Sequence, residues 1–442
     1  MPEQGVSPKE ARTSVELFAG GGGLAMAVRG AGFRHLLVNE YAPRACETLV
    51  ANGAVLRDVA DASLPVLEDG DGGVGPLAED WPLVAGDVRG IPSFGFLRDA
   101  EVDVLAGGPP CQPFSLGGAH KGTEDERNMF PEMFRAIREM RPKAVVCENV
   151  RGLLRKSFEP YFSYILREMR LPFLTRAEGA TWEEHDDLLK AAIERGDTDP
   201  AESYVVHPVE VNAADYGVPQ IRRRVIIVAF RADLGVDWSR HSPRPEFSEA
   251  ALLHSLVDGR YWKRHELDGD EFVDVRARTM AELPSVMPMD DGLRPWRTLR
   301  DALAGIDDNE GVPLPPVPLE ALAAKEEVGG VREHRGWPGA RIYKGHTPNV
   351  LDRPAKTVKA GVHGVAGGEL VMRLDDPTFD GDGYRYMTVR ETARVMTFPD
   401  EWSLAGPRSE QMRQLGNAVP VRLGRVFAEA VRNALDEAEG RS

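Results

Sequence analysis

Three cysteines, Cys46, Cys111 and Cys147, are all that 442 residues contain. So sparse and odd a set argues against a disulfide framework and fits a reducing compartment. No Cys/His spacing resembles a zinc site, so no metal is expected. His185, His207, His241, His254 and His265 are scattered and read as surface or capping residues. Also missing is any apolar run near the roughly 18 residues that span a bilayer. Met1 to Ser14 is polar and carries no apolar signal segment, so a cytoplasmic place and no membrane partner are expected. Positive charge is short as well. Against 70 Asp and Glu stand 54 Lys and Arg, a net charge of −16. That sum excludes a uniformly basic surface, although a nucleic-acid binder usually shows a basic footprint.

What is present has the balance of a globular protein, 42% hydrophobic and 28% charged. Its length predicts two domains rather than one core. The charge is unevenly spread. Residues 331–360 hold Arg332, Arg335, Arg341, Lys344, Arg353, Lys356 and Lys359 against Glu333 and Asp352. Arg222-Arg223-Arg224 adds a second cluster, whereas Glu183 to Asp199 is strongly acidic. The pattern predicts a basic cleft on an acidic body.

Val15 to Phe18 reads as a buried strand, followed by Gly20 to Gly23, a helix from Leu24 to Gly30, and a strand from Leu36 to Asn39 ending at Glu40. Strand, glycine turn, helix and strand ending in an acid open a nucleotide-binding βαβ unit. Residues 53–82 interrupt the pattern with an acidic, glycine-rich stretch that lacks the ligand spacing of a calcium loop. The pattern resumes at Leu83-Val84-Ala85, then Gly86-Asp87-Val88. The apolar runs Val102 to Ala106, Ala144 to Cys147 and Val225 to Phe230, alternating with helices, predict a largely parallel sheet covered on both faces. A second acidic insertion spans about 175–203. From about 232 periodicity fades, and proline, aromatics and arginine become frequent. Thr388 and Glu391 have capping-box spacing before a helix to Thr397, and Val421 to Ala438 reads as a final amphipathic helix.

Chemistry concentrates in Gly107-Gly108-Pro109-Pro110-Cys111-Gln112-Pro113-Phe114-Ser115, at the end of an apolar run. A cysteine in a Pro/Gly loop is poorly placed for packing and well placed for attack. A free thiol is only a few per cent thiolate at neutral pH, so it needs activation. Cys147 and Cys46 read as inert, the one in a strand and the other in a helix. Glu148-Asn149-Val150 ends a second apolar run, so a nucleophile and an acid stand at two strand ends.

These segments come in a fixed order with Phe18-Ala19-Gly20-Gly21-Gly22-Gly23, Gln220-Ile221-Arg222-Arg223-Arg224, Arg353-Pro354-Ala355-Lys356-Thr357 and Gly416-Asn417-Ala418-Val419-Pro420. Together they resemble the cytosine-C5 DNA methyltransferases of bacterial restriction-modification systems. The resemblance runs over most of the chain. It implies an α/β fold with a doubly wound, mostly parallel sheet, a Rossmann-like S-adenosylmethionine-dependent methyltransferase with a smaller target-recognition domain. The implied division is 1–231 catalytic, 232–350 target recognition, and 351–442 a return to the catalytic domain.

The resemblance also implies roles. Cys111 adds to C6 of a flipped-out cytosine. Glu148 neutralises charge at N3, and Arg222 and Arg224, two apart on an extended segment, serve the site near O2. S-adenosyl-L-methionine, leaving as S-adenosyl-L-homocysteine, is held by Phe18, Gly20, Gly22, Gly23, Glu40, Tyr41, Asp87, Val88 and Asn417. Asp58 competes with Asp87 but lies further from Cys111. Glu16 stands where many relatives have Asp at the methionine amine. Gln112 and Ser115 belong to a loop that supports the opened DNA. Arg335, Arg341, Lys344 and Lys356 are expected on phosphates. The expected partners are double-stranded DNA and, functionally, a cognate restriction endonuclease or defence system, with the chain a monomer. Two readings stay beside this one: an RNA cytosine methyltransferase of the same fold, and a catalytically silent DNA-binding homologue.

Overall fold

The computed structural model describes residues 11–58, 80–110, 128–196, 198–306, 311–324, 326–342, 344, 347–360, 370–379 and 383–441. They form two compact units. One holds residues up to Val211, with Arg223–Pro243 and Gly424–Ser442; the other holds Asn212–Arg222 and Arg244–Leu423. The compact units cut the chain differently from the sequence-based division. Residues 351–423 pack with Arg244 onward, and only the last stretch returns to the first unit.

The first unit is built on one eight-stranded sheet. Its strands are β1 (Arg12–Leu17), β2 (Phe33–Glu40), β3 (Val55–Leu56), β4 (Pro82–Ala85), β5 (Val104–Gly107), β6 (Ala144–Val150), β7 (Tyr204–Asn212) and β8 (Arg223–Arg231). Their order is β3-β4-β2-β1-β5-β6-β8-β7. The pairs from β3 to β6 are parallel, and β8 runs antiparallel to β6. Strand order therefore runs outward from β1 in one direction and from β5 in the other. The carboxyl ends of two such strands frame the crevice where open α/β sheets bind ligands. Those ends are Leu17 and Gly107.

Helices α1 (Gly23–Gly30), α2 (Pro43–Ala51), α3 (Phe130–Met140), α4 (Glu159–Arg170) and α5 (Trp182–Arg195) belong to this unit. Val15, Leu17, Leu105, Val145 and Ile227 from the strands bury against Met133, Phe134, Ile137 and Ile165 from α3 and α4. Each such side chain contributes about 1.5–3 kcal/mol by leaving water. The amino ends of the strands are tied to the C-terminal helix (Val421–Ala438) by charge. Arg12 pairs with Asp103 at 2.9 Å, Asp436 at 2.7 Å and Glu439 at 3.1 Å. Lys143 adds Asp103 and Glu439. The opposite, carboxyl, ends are left for chemistry.

The second acidic insertion contains a helix, α5. Thr181 and Glu184 form a full capping box, and Leu189 is buried in the core. His185 is buried rather than at the surface, bonded to Tyr164 Oη at 3.0 Å and Leu174 O at 2.7 Å.

The second unit is mostly short helices and loops around Phe247, Leu252, Tyr261, Trp262 and Trp296. It buries much charge. Arg300 meets Asp352 at 2.8 Å and also Asp376. The expected capping box of Thr388 and Glu391 opens the helix Val389–Val395. Glu391 also takes Arg385 at 2.5 Å. Burial opposes its ionisation, but Arg385 prevails and holds the carboxyl at about 2. Among the described residues no helix is long and apolar enough to cross a membrane.

Candidate active site

The turn after β1 is shaped for close approach. Phe18 adopts φ 60, uncommon for a residue with a side chain. Gly20 and Gly22 follow at φ 56 and φ 90, and Gly23 opens α1. Only glycine takes such angles at little cost. Glu40, at the end of β2, locks this turn. One carboxylate oxygen accepts the Gly20 N–H and the other the Ala42 N–H, each at 2.6 Å. A carboxylate has about four acceptor positions, so each oxygen keeps capacity for a further donor. Tyr41 beside it is 71% exposed. Asn39 was not singled out from sequence, yet its amide spans Val84 O at 2.9 Å and Gly86 O at 3.1 Å, fixing the end of β4. Beyond it Val88 is buried and Asp87 caps a short turn. Asp87 also forks onto Arg89, which holds its carboxyl below the usual range. That pair is partly exposed, so exchange for another donor costs little.

Glu16 is buried in β1, and burial pushes its carboxyl well above the usual range against a weaker backbone contact from Ala25. Its Oε2 has no hydrogen-bond partner among the described residues. A buried orphan oxygen at the carboxyl end of β1 is unusual. It suits a cationic ligand.

The other strand ends carry the second half. Gly107 is in register with Cys147, so Glu148 lies one step past the end of β5. A Cβ on Gly108 would stand 3.7 Å from Glu148 Oε2, so the chain leaving β5 runs directly over that carboxylate. Asn149 Nδ2 donates to Pro109 O at 3.0 Å, and Met129 N to Pro110 O at 3.4 Å. Cys111, Gln112 and Ser115 lie outside the described residues. Pro110 and Met129, on either side of them, are described. Arg224 on β8 places Nε 2.7 Å from Glu148 Oε1, a close ion pair whose N–H is not aimed along a hydrogen bond. Both side chains are nearly buried.

The two arginines expected at the base differ. Arg224 reaches Glu148; Arg222 is buried in the second unit. Its guanidinium donates to Val358 O at 2.8 Å and to Gly416 O and Ala418 O at 2.9 Å. Of the two, only Arg224 lies beside Glu148, and Arg222 is turned to those three carbonyls. Arg223 is exposed. Asn417 ends the helix Arg408–Asn417 and is exposed. Cys147 is fully buried, and burial followed by Glu40 raises the Cys46 thiol to about 11.

The expected phosphate contacts do not form one bare basic strip. Arg335 pairs with Glu327 at 3.0 Å, and the Lys356 ammonium is held by Thr347. Arg341 and Lys344 are exposed. Sequence reading missed a cavity of about 690 Å³ in the second unit, where Arg278 meets Asp375 and Arg353 meets Glu249. Among the described residues no cluster of His, Cys, Asp or Glu could hold a metal ion.

Comparison with known proteins identifies the family. The family described as C-5 cytosine-specific DNA methylase matches residues 79–171 and 198–433. The Type II methyltransferase M.NgoMIV of Neisseria gonorrhoeae is 28% identical over 426 residues, 96% of this chain and 98% of that protein. M.Eco47II of Escherichia coli is 30% identical over 430 residues, 96% of this chain and 80% of that protein. Among solved structures, a Spodoptera frugiperda DNMT2 mutant superposes with TM-score 0.51 at 15% identity, covering 96% of this chain and 100% of that one. At that identity the likeness speaks for the fold alone.

Proposed function

The chain belongs to the C-5 cytosine-specific DNA methylases and is a DNA (cytosine-5)-methyltransferase, and on that premise we propose how its residues divide the work. The observation that carries the proposal is the cluster at the ends of β5, β6 and β8. Gly108 passes over Glu148, Asn149 holds Pro109, and Arg224 flanks the carboxylate.

Cytosine C5 is too weak a nucleophile to take a methyl group unaided. The Cys111 thiolate forms a bond to C6, and the ring's electrons move toward N3 and O2. Glu148 supplies a shared proton at N3, and Arg224 lies beside it for the charge growing at O2. The electron-rich C5 then takes the methyl group. Loss of the C5 proton and release of the Cys111 sulfur restore the aromatic ring. The target base reaches this site by rotating out of the duplex, at a cost of a few kcal/mol.

S-adenosyl-L-methionine supplies an electrophilic methyl on a sulfonium when bound. The residues present fit it. Glu40 has acceptor capacity for a ribose diol, Glu16 an orphan oxygen for the amine, and Phe18, Tyr41 and Val88 apolar surface for the adenine. Gly20, Gly22 and Gly23 keep the turn clear of side chains, Asp87 can meet the adenine amino group, and Asn417 is proposed as a further contact. Double-stranded DNA is the proposed substrate, with Gln112, Ser115, Arg335, Arg341, Lys344 and Lys356 as proposed DNA contacts. The relatives are Type II methyltransferases by name, which supports a restriction-modification context; a cognate endonuclease is proposed as the functional partner. Bisulfite sequencing of DNA from a naive host expressing this chain tests activity and target together; unmodified DNA with soluble protein present would refute the activity.

Two expectations concern the donor site. Glu40→Ala weakens donor binding at least tenfold and leaves DNA affinity unchanged, since each charge-assisted bond is worth about 1.5–3 kcal/mol. Calorimetry showing equal donor affinity would remove Glu40 from the site. Glu16 makes donor binding pH-dependent. Burial raises its carboxyl, so below that raised pKa it is protonated in the free protein, and a bound ammonium favours the ionised form. Binding therefore releases a proton, and affinity rises with pH up to the free-state pKa, above which it is flat. Titrating S-adenosylhomocysteine in buffers of different ionisation enthalpy reads that proton. Glu16→Gln abolishes its release; unchanged release in Glu16→Gln would place the titration elsewhere.

A further inference from the structure

Gln220 and Arg222 join three segments far apart in sequence. Ile221 N donates to Ala355 O at 2.8 Å, and Thr357 Oγ1 returns a bond to Ile221 O at 2.7 Å. Gln220 Oε1 accepts Val358 N at 3.1 Å, while its amide meets Met396 Sδ at 3.0 Å. Arg222 extends the node to the 416–418 turn. A single nitrogen, Nη2, takes both Gly416 O and Ala418 O at 2.9 Å. These are the carbonyls of the residues before and after Asn417. Gly416 in turn presses so closely on Lys359 and Ala360 that any side chain there would strike their backbone.

The consequence is local and geometric. A planar guanidinium fixes the directions of its donors. Arg222 holds the 416–417 and 418–419 peptides through Gly416 O and Ala418 O. The 417–418 peptide between them is held by Ala418 N–H to Gln414 O at 3.0 Å, so the backbone of Asn417 has little room to rotate, while its side chain stays exposed. We infer that Arg222 is a positioning residue that acts through Asn417, setting its amide for the methyl donor, and that it does not touch the cytosine. The inference rests on the donor role proposed for Asn417. It separates the two arginines of one motif: Arg224 works at Glu148, and Arg222 holds a donor contact.

A double-mutant cycle tests this with the full-length protein. Donor affinity is measured by calorimetry with S-adenosylmethionine alone, and DNA affinity separately. Arg222→Lys keeps the charge but loses the fork. It should raise the donor Kd about tenfold, as Asn417→Ala should, with DNA Kd unchanged. The double variant should bind no worse than the weaker single one, because residues acting through one another are non-additive. Multiplying effects, or an unchanged donor Kd in a folded Arg222→Lys protein, would overturn the inference. A merely structural role would lower the melting temperature and leave the donor Kd of the folded fraction alone. If Arg222→Lys does not fold, Gln220→Met removes the acceptor for Val358 at similar volume. It should move donor affinity in the same direction by about threefold, again hidden by Asn417→Ala; an additive effect would overturn the inference. Failure of the wild type to bind donor at all would instead sink the donor reading itself.

Discussion

Cys111→Ala abolishes methyl transfer and leaves donor binding within about twofold, because the donor residues are on other strand ends and distant sites act independently. The fall in turnover is on the order of 10⁴-fold or more, the scale of removing a nucleophile from a concerted set of catalytic groups. The reason is electronic: without a bond at C6, no electron density is driven to C5. DNA with 5-fluorocytosine at the target makes the step visible. Fluorine at C5 cannot leave as a cation, so the sulfur cannot be expelled after methyl transfer. Wild type forms an adduct that survives a denaturing gel, and Cys111→Ala forms none. Glu148→Gln sharpens the assignment, since it retains size and loses the proton. It should slow adduct formation while leaving Cys111 in place. Retained turnover in purified Cys111→Ala would remove covalent catalysis from this chain.

How much of this was legible beforehand follows from range. Strand identities rest on local apolar runs, so β1, β2, β4, β5, β6 and β8 are all foreseen within a few residues. Glu40 is foreseen because the strand–turn–helix–strand pattern is local. What it bonds to, Gly20 and Ala42, is not, since two carboxylate oxygens choose partners only after the turn closes. Helix α5 hides inside an acidic stretch because its buried face is narrow, though Thr181 and Glu184 carried a capping signal. Arg222 is the instructive case. Spacing two on an extended segment put it on the same side as Arg224. In the structure β8 begins at Arg223, so the alternation expected of a strand stops short of Arg222. Its fate is decided by carbonyls at 358, 416 and 418, nearly two hundred residues further along in two cases. No local pattern encodes that.

Sequence preference should move with the second unit. The first unit's sheet supplies chemistry common to every cytosine, so discrimination must come from side chains that reach base edges elsewhere. A good bidentate base contact is worth about 1–3 kcal/mol of discrimination, and two or three suffice for a short site. Where the chain is cut matters. An exchange of 232–350 separates Arg300 from Asp352 and Asp376, which are buried together with it. Breaking such a buried set by removing one side costs about 3–5 kcal/mol, a large share of a typical domain's stability of about 5–15 kcal/mol. Exchanging 244–379 instead keeps donor-side Asn417 native and carries Arg300, Asp352 and Asp376 as one block. It also moves Arg278 with Asp375 and Arg353 with Glu249. The expected result is a chimera, made with the matching block of a relative of known target, that methylates the relative's sequence with Cys111 still the nucleophile. The 232–350 exchange should melt lower or fail to accumulate. Bisulfite sequencing reads the target, and thermal denaturation reads the cost of the cut. A folded 244–379 chimera that kept the original target would place recognition outside residues 244–379 and overturn this assignment.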